Sequence, residues 1–274
     1  KVRVAAGIVL YNPDLERLRQ NIEAIRPQVD ALLVVDNGSD NRDEIKQIVS
    51  EQMVCNEQNL GIAKALNQLM ALAQAEGYEW MLTLDQDSVC PSQLIATLLP
   101  YTQSEQQAGI LCPVIVDRSF GIEHQPSPTE PLTRLQECIT SASLTRVKAW
   151  HEVGGFDERL FIDAVDTDFC LSLHEHGWKV LRVNAIHLLH EIGHQATQHR
   201  VFGRTYIAFN HAPIRYYYIA RNMIFLSRKH PGFLKPAPWR CMFTMLARML
   251  VILLWERDAK LKKCQQIVRG CREG

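Results

Sequence analysis

Two aspartates one residue apart, Asp85 and Asp87, directly follow an apolar run and could bind a metal ion. Carboxylates at this spacing direct oxygen ligands toward a hard cation such as Mg²⁺ or Mn²⁺, whose other ligands are phosphate oxygens and water. Such a cation would neutralise a diphosphate leaving group. A solvated turn is the alternative, and the buried-type strand before the pair favours the metal site.

A third carboxylate, Asp36, also follows an apolar run and opens the turn-forming segment Asp36-Asn37-Gly38-Ser39. At the carboxyl end of a strand it would face the crevice where doubly wound sheets bind nucleotides, and it could accept hydrogen bonds from a base or a ribose. The same residues would form an Asx turn in any case. Both interpretations stay open on these residues alone.

Four aspartates lie within twelve residues after the pair Gly154-Gly155: Asp157, Asp163, Asp166 and Asp168. Carboxylates at the start of a helix are often caps that the helix dipole favours. Four exceed what capping requires, so one of them could act as a general base that activates a hydroxyl group.

The segment His190-Glu191-Ile192-Gly193-His194 matches the HExxH pattern of zinc proteases. That chemistry needs a helix, so that both imidazoles share one face and the glutamate lies beside the bound water. Residues 180–189 instead indicate a strand, and the metzincin spacing places Arg200 where a third histidine is needed. We therefore keep a zinc metalloprotease only as an unfavoured alternative. His190 alone remains a candidate metal ligand or phosphate contact.

Alternating strand and helix signals must position these side chains. The sequence predicts strands at 2–10, 31–35, 53–55, 80–84 and 110–116, and helices at 15–25 (capped by Asp14) and 62–75. This order predicts a parallel sheet covered by helices, with ligands at the carboxyl ends of the strands. Residues 117–137, rich in proline, predict a loop, and the chain from Ala212 onward predicts helices with breaks around Pro231 and 236–238.

The formal charge of the 274 residues is zero, from 30 Lys+Arg and 30 Asp+Glu, and 47% of the residues are hydrophobic. This composition excludes intrinsic disorder, a collagen-like repeat and a nucleic-acid binder with a uniformly basic surface. The charge is uneven, however. Residues 1–191 hold 15 basic and 27 acidic residues and residues 192–274 hold 15 and 3, so the two parts carry −12 and +12. The basic end suits an anionic ligand or surface.

Eight cysteines without a CxxC pair, and no signal-peptide pattern, predict a reducing cytoplasmic compartment. Cys55, Cys112 and Cys170 stand among apolar residues and are predicted to be small core side chains. The longest apolar run, 249–255, is far shorter than the ~20 residues of a membrane-spanning helix.

Five segments, taken in order, resemble the inverting family 2 glycosyltransferases of the GT-A fold, and especially bacterial rhamnosyltransferases. The segments are 11–13, 34–39, 59–67, 83–88 and 154–171. The resemblance implies a Rossmann-like, mostly parallel sheet flanked by helices, with a C-terminal helical extension. It implies a catalytic domain over residues 1–210 and a basic helical region over 211–274.

The resemblance also implies roles for individual residues. Asp87 would hold Mg²⁺ or Mn²⁺, with Asp85 on the ribose, the diphosphate or the metal and His190 nearby. The remaining residues implied to bind the nucleotide are Tyr11, Asn12, Asp36, Asn59, Gly61, Asn67 and Arg221.

The family's usual Glu-Asp-x-Asp motif, whose first Asp is the base, reads Val165-Asp166-Thr167-Asp168 here. It points to Asp166 as the catalytic base, and the missing glutamate leaves Asp163 as the alternative. A non-catalytic nucleotide-binding GT-A module is therefore also allowed.

By resemblance the donor is dTDP-L-rhamnose and the acceptor is a glycan or a polyprenyl-diphosphate-linked precursor of a surface polysaccharide such as O-antigen. The apolar and basic C-terminal segment would lie on the inner face of the bacterial cytoplasmic membrane. A core helix or a homodimer contact would explain the same pattern equally well.

Overall fold

The computed structural model describes residues 2–117, 121–122, 130–190, 197–201, 204–233 and 238–274. The chain forms two compact units. The first, called the sheet unit, comprises Lys1–Phe161 and Val165–His190; the second, called the helical unit, comprises Ile162–Ala164 and Glu191–Gly274. The domain boundary that we predicted after residue 210 falls inside the helical unit, because a hairpin before that residue belongs to this unit.

Within the described residues of the sheet unit, nine strands form one sheet in the order β3-β2-β1-β4-β8-β5-β9-β7, and β6 pairs with β5. The strands are β1 Val4–Leu10, β2 Ala31–Asp36, β3 Gln52–Cys55, β4 Trp80–Asp85, β5 Ala108–Asp117, β6 Gly121–Ile122, β7 Leu132–Leu135, β8 Ser143–Arg146 and β9 Lys179–His190. Neighbouring strands from β3 to β4 are parallel. The predicted mostly parallel sheet is therefore confirmed.

Apolar sequence explains the parallel strands. β1, β2 and β4 are almost entirely buried, as expected where helices cover both faces of a sheet. The helices of this unit are α1 Leu15–Ile25, α2 Arg42–Ile48, α3 Ile62–Ala75, α4 Leu94–Ser104, α5 Val147–Glu152 and α6 Val165–Glu175. Asp14 caps α1 as predicted, since its Oδ1 accepts a hydrogen bond from Arg17 N at 2.8 Å.

Two strands interrupt the parallel order. β8 is antiparallel to both β4 and β5, and β7 is antiparallel to β9. The prediction of a loop over 117–137 was wrong for Leu132–Leu135, which form the half-buried strand β7. This segment has no apolar pattern that would predict a strand, and its hydrogen bonds to β9 hold it in the sheet. Residues 118–120 and 123–129 lie outside the described residues.

Of the three cysteines that were predicted to be core side chains, two are buried and one is exposed. Cys112 and Cys170 are buried as expected, whereas Cys55 is exposed. Cys55 ends β3, which is at the edge of the sheet, so neither face of the strand is fully covered. The expectation for Cys55 was therefore wrong.

The helical unit contains a hairpin of β10 Thr197–Val201 and β11 Arg204–Ala208, followed by α7 Pro213–Lys229, α8 Pro238–Trp255 and α9 Lys260–Glu273. The predicted helices are confirmed, and α7 ends at Lys229, before the predicted break at Pro231. Of the predicted break at 236–238, residues 236 and 237 lie outside the described residues, and Pro238 begins α8. The three helices enclose a small core of its own, formed by Tyr216, Ala220, Met245, Ile252, Cys264 and Ile267. Among the described residues, no helix combines the length and apolar character needed to cross a membrane.

One buried carboxylate joins the three helices. Glu256, directly after α8, receives a hydrogen bond from the Tyr216 hydroxyl of α7, and its Oε2 lies 2.7 Å from the Lys263 ammonium of α9. The side chains of Glu256 and Lys263 are 0% and 4% exposed. Removing one member of a buried pair leaves an uncompensated charge, which is strongly destabilising.

We expect Glu256→Ala to lower the free energy of unfolding of the helical unit by about 3–5 kcal/mol, because Lys263 would remain buried and unpaired. Urea denaturation followed by circular dichroism measures this change. Glu273→Ala is the matched control, since Glu273 pairs with Arg269 on the exposed surface of the same unit and should matter far less. Equal losses in the two variants would contradict the assigned role of Glu256.

Candidate active site

The register of three parallel strands brings the candidate carboxylates to one edge of the sheet. Leu10 of β1 pairs with Asp36 of β2, and Val9 of β1 pairs with Asp85 of β4. Asp36 and Asp85 therefore flank the end of β1, with backbones two strand spacings or about 10 Å apart. This is the edge at which doubly wound sheets bind ligands.

Asp36 is fully buried and held by its own loop. Its Oδ2 accepts a hydrogen bond from Arg42 Nε at 2.6 Å, and its Oδ1 accepts one from Ser39 N at 3.1 Å. The Arg42 guanidinium also donates to the backbone carbonyl of Asn56. The hydrogen bond to Asp36 raises the pKa of Arg42 above its ordinary value. Each Asp36 oxygen can still accept a second hydrogen bond.

A network of side-chain amides fixes the segment after β3. The Asn37 Oδ1 accepts hydrogen bonds from Asn56 Nδ2 and Leu60 N, each at 3.0 Å, and its Nδ2 donates to Asn59 Oδ1 at 3.0 Å. Asn59 Oδ1 also accepts from Gly61 N at 2.9 Å. Asn59 is therefore part of the scaffold of the strand-end edge.

Gly61 begins α3 with φ +87°, a left-handed conformation that favours glycine. A Cβ atom there would lie 2.8 Å from the backbone oxygen of Phe161 and 2.9 Å from its Cα. Ile62 N donates to that same oxygen at 2.8 Å. Gly61 thus allows the start of α3 to approach the segment that leads to the candidate base.

Asn67 on α3 fastens the double-glycine turn to the helix. Its Oδ1 accepts hydrogen bonds from Trp150 Nε1 at 3.0 Å and Phe156 N at 2.9 Å. Its Nδ2 donates to Phe156 O at 2.9 Å and to Glu158 Oε1 at 3.0 Å. All four hydrogen bonds of this amide go to protein atoms.

The loop after β1 is tied to the loops of both neighbouring strands. Tyr11 N donates to Gln86 Oε1 at 2.9 Å, and Asn12 N donates to Ser39 Oγ at 2.9 Å. Asp40 N in turn donates to Asn12 Oδ1 at 2.7 Å. The Tyr11 side chain is 47% exposed. The structure thus brings Tyr11 and Asn12 to the same edge as Asp36 and the Asp85–Asp87 segment.

The Asp85–Asp87 segment is held by its backbone. Asn21 Nδ2 donates to Asp85 O at 2.8 Å, and Arg17 Nε donates to Asp87 O at 2.8 Å. Asp85 is half-buried and Asp87 is exposed, and both of these hydrogen bonds are accepted by backbone oxygens. Over the described part of the chain, no group of three or more His, Cys, Asp or Glu side chains is arranged to hold a metal ion. The pair still fits Mg²⁺, which takes one or two carboxylates together with substrate phosphates and water.

Asp166 lies in the first turn of α6 beside the end of β4. It lines a small cavity together with Thr83 of β4, two residues before Asp85. Burial raises the pKa of Asp166 to about 6, while a hydrogen bond from Thr167 N to its Oδ1 at 2.9 Å opposes the shift. A carboxylate with this pKa is a stronger base than an ordinary aspartate and is still ionised at neutral pH.

Asp163 belongs to the helical unit and has a different environment. Arg215 donates to both of its carboxylate oxygens, from Nε at 3.2 Å and from Nη2 at 2.9 Å. Asp163 and Ala164 have φ of +64° and +65°, which costs about 1–2 kcal/mol per residue. The buried amide of Asn222 supports this strained turn by donating to the carbonyls of Ile162 and Asp163.

Two further predicted site residues, His190 and Arg221, lie at the end of β9 and on α7. His190 is the last residue of β9, so the HExxH segment does not begin in a helix; residues 191–196 lie outside the described residues. Arg221 is on α7 in the helical unit, where its Nη1 donates to Asn222 Oδ1 at 3.2 Å. Its predicted contact with a diphosphate remains a prediction.

Three residues that organise the site were missed by the sequence analysis: Arg42, Asn37 and Arg215. Arg42 follows Asp36 by six residues and begins α2, so its proximity was a weak local signal. Asn37 is part of the turn-forming segment Asp36-Asn37-Gly38-Ser39, where asparagine is an ordinary turn residue. Arg215 and Asp163 are 52 residues apart in the sequence, so no local pattern predicts their contact.

Carboxylates at the carboxyl ends of parallel strands mark the edge at which doubly wound sheets bind ligands, and a carboxylate with a raised pKa on α6 is able to act as a general base. The family model of glycosyl transferase family 2 matches residues 6–155. The chain belongs to this family and is a glycosyltransferase.

Two curated relatives match most of the chain. The "dTDP-rhamnosyl transferase RfbF" of Shigella flexneri is 31% identical over 265 residues, which cover 91% of this chain and 88% of the relative. The "N-acetylglucosaminyl-diphospho-decaprenol L-rhamnosyltransferase" of Mycobacterium tuberculosis is 24% identical over 270 residues and covers 83% and 84%.

Two solved structures share the fold. The mannosyltransferase PcManGT from Pyrobaculum calidifontis, in complex with GDP-Man and Mn²⁺, superimposes with a TM-score of 0.64 and 13% identity over 98% of this chain and 84% of its own. GalNAc-T7 with UDP, GalNAc and Mn²⁺ gives a TM-score of 0.56 and 17% identity over 74% and 44%. The GT-A fold predicted from the sequence is thereby confirmed.

The raised pKa of Asp166 predicts how the rate of sugar transfer depends on pH. A general base must be ionised, so kcat/KM for sugar transfer should fall about tenfold per pH unit below the pKa of about 6. Asp166→Asn should lower kcat/KM by about 100-fold or more. Initial rates measured across acid and neutral pH test both statements.

Asp163→Asn is the matched variant, because it removes the neighbouring candidate carboxylate. Its rates should keep the same acid limb. An acid limb near pH 6 that survives in Asp166→Asn, or that disappears in Asp163→Asn, would assign the base to Asp163 instead.

Proposed function

We propose that this protein transfers L-rhamnose, with inversion, from dTDP-L-rhamnose to a hydroxyl group of a glycan or lipid-linked acceptor. The product would be a precursor of a cell-surface polysaccharide such as O-antigen. The observation that carries the proposal is the 31% identity to a dTDP-rhamnosyl transferase over 91% of this chain. The strand-end carboxylates and the half-buried Asp166 supply the chemistry that this reaction requires.

The nucleoside of the donor binds at the edge formed by β2, β1 and β4. Asp36 accepts a hydrogen bond from the base through the capacity that Arg42 and Ser39 leave unused. Tyr11 and Asn12 line the neighbouring loop, and Asn59 and Gly61 shape the start of α3. Asn67 acts behind this surface as a positioning residue, since its four hydrogen bonds join α3 to the turn after Gly155.

Asp87 and Asp85, with His190, hold a divalent cation, either Mg²⁺ or Mn²⁺. The two solved structures compared above both contain Mn²⁺, and the two carboxylates suit either ion. When bound, the cation neutralises the charge that develops on the departing dTDP. The hydrogen bonds that Asn21 and Arg17 donate to the backbone oxygens of Asp85 and Asp87 fix the segment that carries these two carboxylates.

Asp166 is the base that takes the proton of the acceptor hydroxyl as that oxygen attacks the anomeric carbon. Attack comes from the face opposite the nucleotide, so the configuration inverts. Burial makes Asp166 basic enough to accept a proton, whereas both carboxylate oxygens of Asp163 already accept hydrogen bonds from Arg215. The geometry therefore favours Asp166 over Asp163.

The helical unit contacts an anionic membrane surface through one face of α8. The face carries five exposed apolar side chains, Phe243, Leu246, Leu250, Leu253 and Leu254, at helical spacing. An exposed apolar stripe of this size marks an interaction site. The residues 192–274 that contain it carry a net charge of +12, from 15 basic and 3 acidic residues, which favours anionic lipid over a second copy of the same basic chain.

A groove between α8 and α9 adds to the argument. Its volume is about 570 Å³, and its lining combines the apolar Met249, Leu261 and Val268 with the charged Arg269, Arg272 and Glu273. Acyl chains and anionic headgroups would be complementary to these two kinds of side chain. A lipid-linked acceptor would then be met at the surface where it resides.

A panel of nucleotide sugars tests the donor. We expect dTDP-L-rhamnose to be consumed in preference to UDP-glucose and GDP-mannose with Mg²⁺ or Mn²⁺, as measured by release of the nucleoside diphosphate. Asp87→Ala should lower this rate by about 100-fold or more, because a bound cation contributes several kcal/mol of charge stabilisation. Glu23→Ala, an exposed carboxylate on α1, is the control.

Two results would contradict this proposal in different ways. Preference for a UDP-hexose would overturn the rhamnosyl donor. Binding of dTDP with Mg²⁺, without consumption of any donor or acceptor in the panel, would favour the non-catalytic module.

Co-sedimentation with lipid vesicles tests the membrane face. The protein should sediment with vesicles that contain an anionic phospholipid and remain in solution with purely zwitterionic vesicles, and salt should weaken the binding. The double variant Leu250→Glu/Leu254→Glu should bind vesicles at least about tenfold more weakly. Each of the two leucines would contribute about 1.5–3 kcal/mol when it becomes buried in the bilayer.

Ile214→Glu is the matched control, since Ile214 is an exposed apolar residue of α7 outside the stripe. A protein that ignores anionic vesicles but is dimeric in solution, and that becomes monomeric on Leu250→Glu/Leu254→Glu, would show that the stripe joins two copies of the chain.

A further inference from the structure

Three thiols that the proposed reaction does not use are gathered next to the candidate base. Cys112 is on β5, Cys138 lies between β7 and β8, and Cys170 is on α6. The Sγ atoms of Cys138 and Cys170 are 3.9 Å apart, which is a van der Waals contact. Cys170 Sγ also donates to the backbone oxygen of Cys138 at 3.8 Å. A pair of thiols in contact needs only a short approach to reach the ~2.05 Å of a disulfide bond.

The pair adjoins Asp166 in two ways. Cys170 follows Asp166 by four residues on α6, so the two side chains are on the same face of the helix. Both cysteines and Asp166 line the same small cavity. Any covalent change at the two sulfur atoms therefore occurs within the environment of the candidate base.

The two thiols differ in accessibility and in acidity. Cys138 is half-buried, whereas Cys170 is buried. Contacts with the thiols of Cys112 and Cys170 lower the pKa of Cys138 below its ordinary value. Since the thiolate is the reactive form of cysteine, Cys138 is the sulfur that reacts first and Cys170 is the sulfur that follows.

We propose that Cys138 and Cys170 are an oxidation site that forms a disulfide bond with peroxides and thereby slows sugar transfer. The Cys138 thiolate attacks one oxygen of hydrogen peroxide, which gives a sulfenic acid and, after protonation, one water. The Cys170 thiol then attacks the sulfenic sulfur, so that the S–S bond forms and the second water leaves. In sum two thiols lose two hydrogen atoms and one peroxide is reduced to two waters.

The disulfide would act on turnover through α6. Closing the 3.9 Å gap draws the segment around Cys138 and the second turn of α6 together, which shifts Asp166 and removes part of the cavity that it lines. A displacement of about 1 Å at a catalytic group can cost about 100-fold in rate. In a reducing compartment such a bond would be transient and reversible rather than structural.

The full-length protein treated with hydrogen peroxide tests the proposal, and formation of the bond is measured separately from activity. Intact-mass spectrometry should show the loss of two hydrogen atoms, and peptide mapping without reduction should join the peptides of Cys138 and Cys170. Dithiothreitol should restore the original mass. These readouts do not depend on the proposed donor or on catalysis at all.

The effect on activity rests on the proposed function and is followed as the fraction of each variant's own untreated rate. The wild type should lose about tenfold or more and recover with dithiothreitol. Cys138→Ser and Cys170→Ser should each keep their untreated rate through the same treatment. Cys55→Ser, which removes an exposed cysteine on β3, should respond like the wild type.

A bond between Cys112 and Cys138, or peroxide products that stop at separate sulfinic acids, would overturn the assigned pair. A complete Cys138–Cys170 bond without loss of rate in an active enzyme would overturn its effect on turnover. Failure of all nucleotide sugars as donors would instead contradict the proposed function and would leave the mass result as the measure of the disulfide.

Discussion

The parallel pairing of β2, β1 and β4 is the constraint on which the rest of the sheet unit depends. Hydrogen bonds between parallel strands fix which residues are neighbours, so the pairs Leu10 with Asp36 and Val9 with Asp85 place two acidic loops on either side of β1. Because successive side chains alternate between faces, a slip of one residue would turn every side chain of a strand to the opposite face. The buried apolar runs make that slip costly and thereby fix the position of the site.

Several buried polar groups at this edge are hydrogen-bonded to one another before any ligand arrives. The Asp36 carboxylate is paired with Arg42, and the amides of Asn37, Asn56 and Asn59 bond to one another and to the start of α3. Such networks are rigid because an unpaired buried amide or carboxylate costs more than its bond contributes when made. This edge of the sheet is therefore held in place by its own hydrogen bonds, and the same principle fixes the helical unit around Glu256.

Two aspartates three residues apart acquire different chemistry from their surroundings. Asp166 is desolvated and so becomes a better proton acceptor, whereas Asp163 is neutralised by Arg215 and supports a strained turn. Environment rather than residue type thus separates a candidate base from a structural ion pair. The thiols of Cys138 and Cys170 line the same cavity as Asp166. Oxidation of these thiols would therefore alter the surroundings of the candidate base, although the sulfur atoms take no part in sugar transfer.

The sequence by itself predicted strands at 2–10, 31–35 and 80–84, within two residues of the observed bounds, and the helix at 62–75. It also identified the acidic residues after the strands, because apolar periodicity and turn residues are local signals. It also determined the family through five ordered motifs. Only the tertiary structure decided that Arg42 meets Asp36, that Arg215 meets Asp163 and that β7 is a strand, since each contact joins elements with no shared local pattern. The choice between Asp166 and Asp163 likewise depends on burial, and burial is a property of the folded chain because solvent exclusion needs residues distant in sequence.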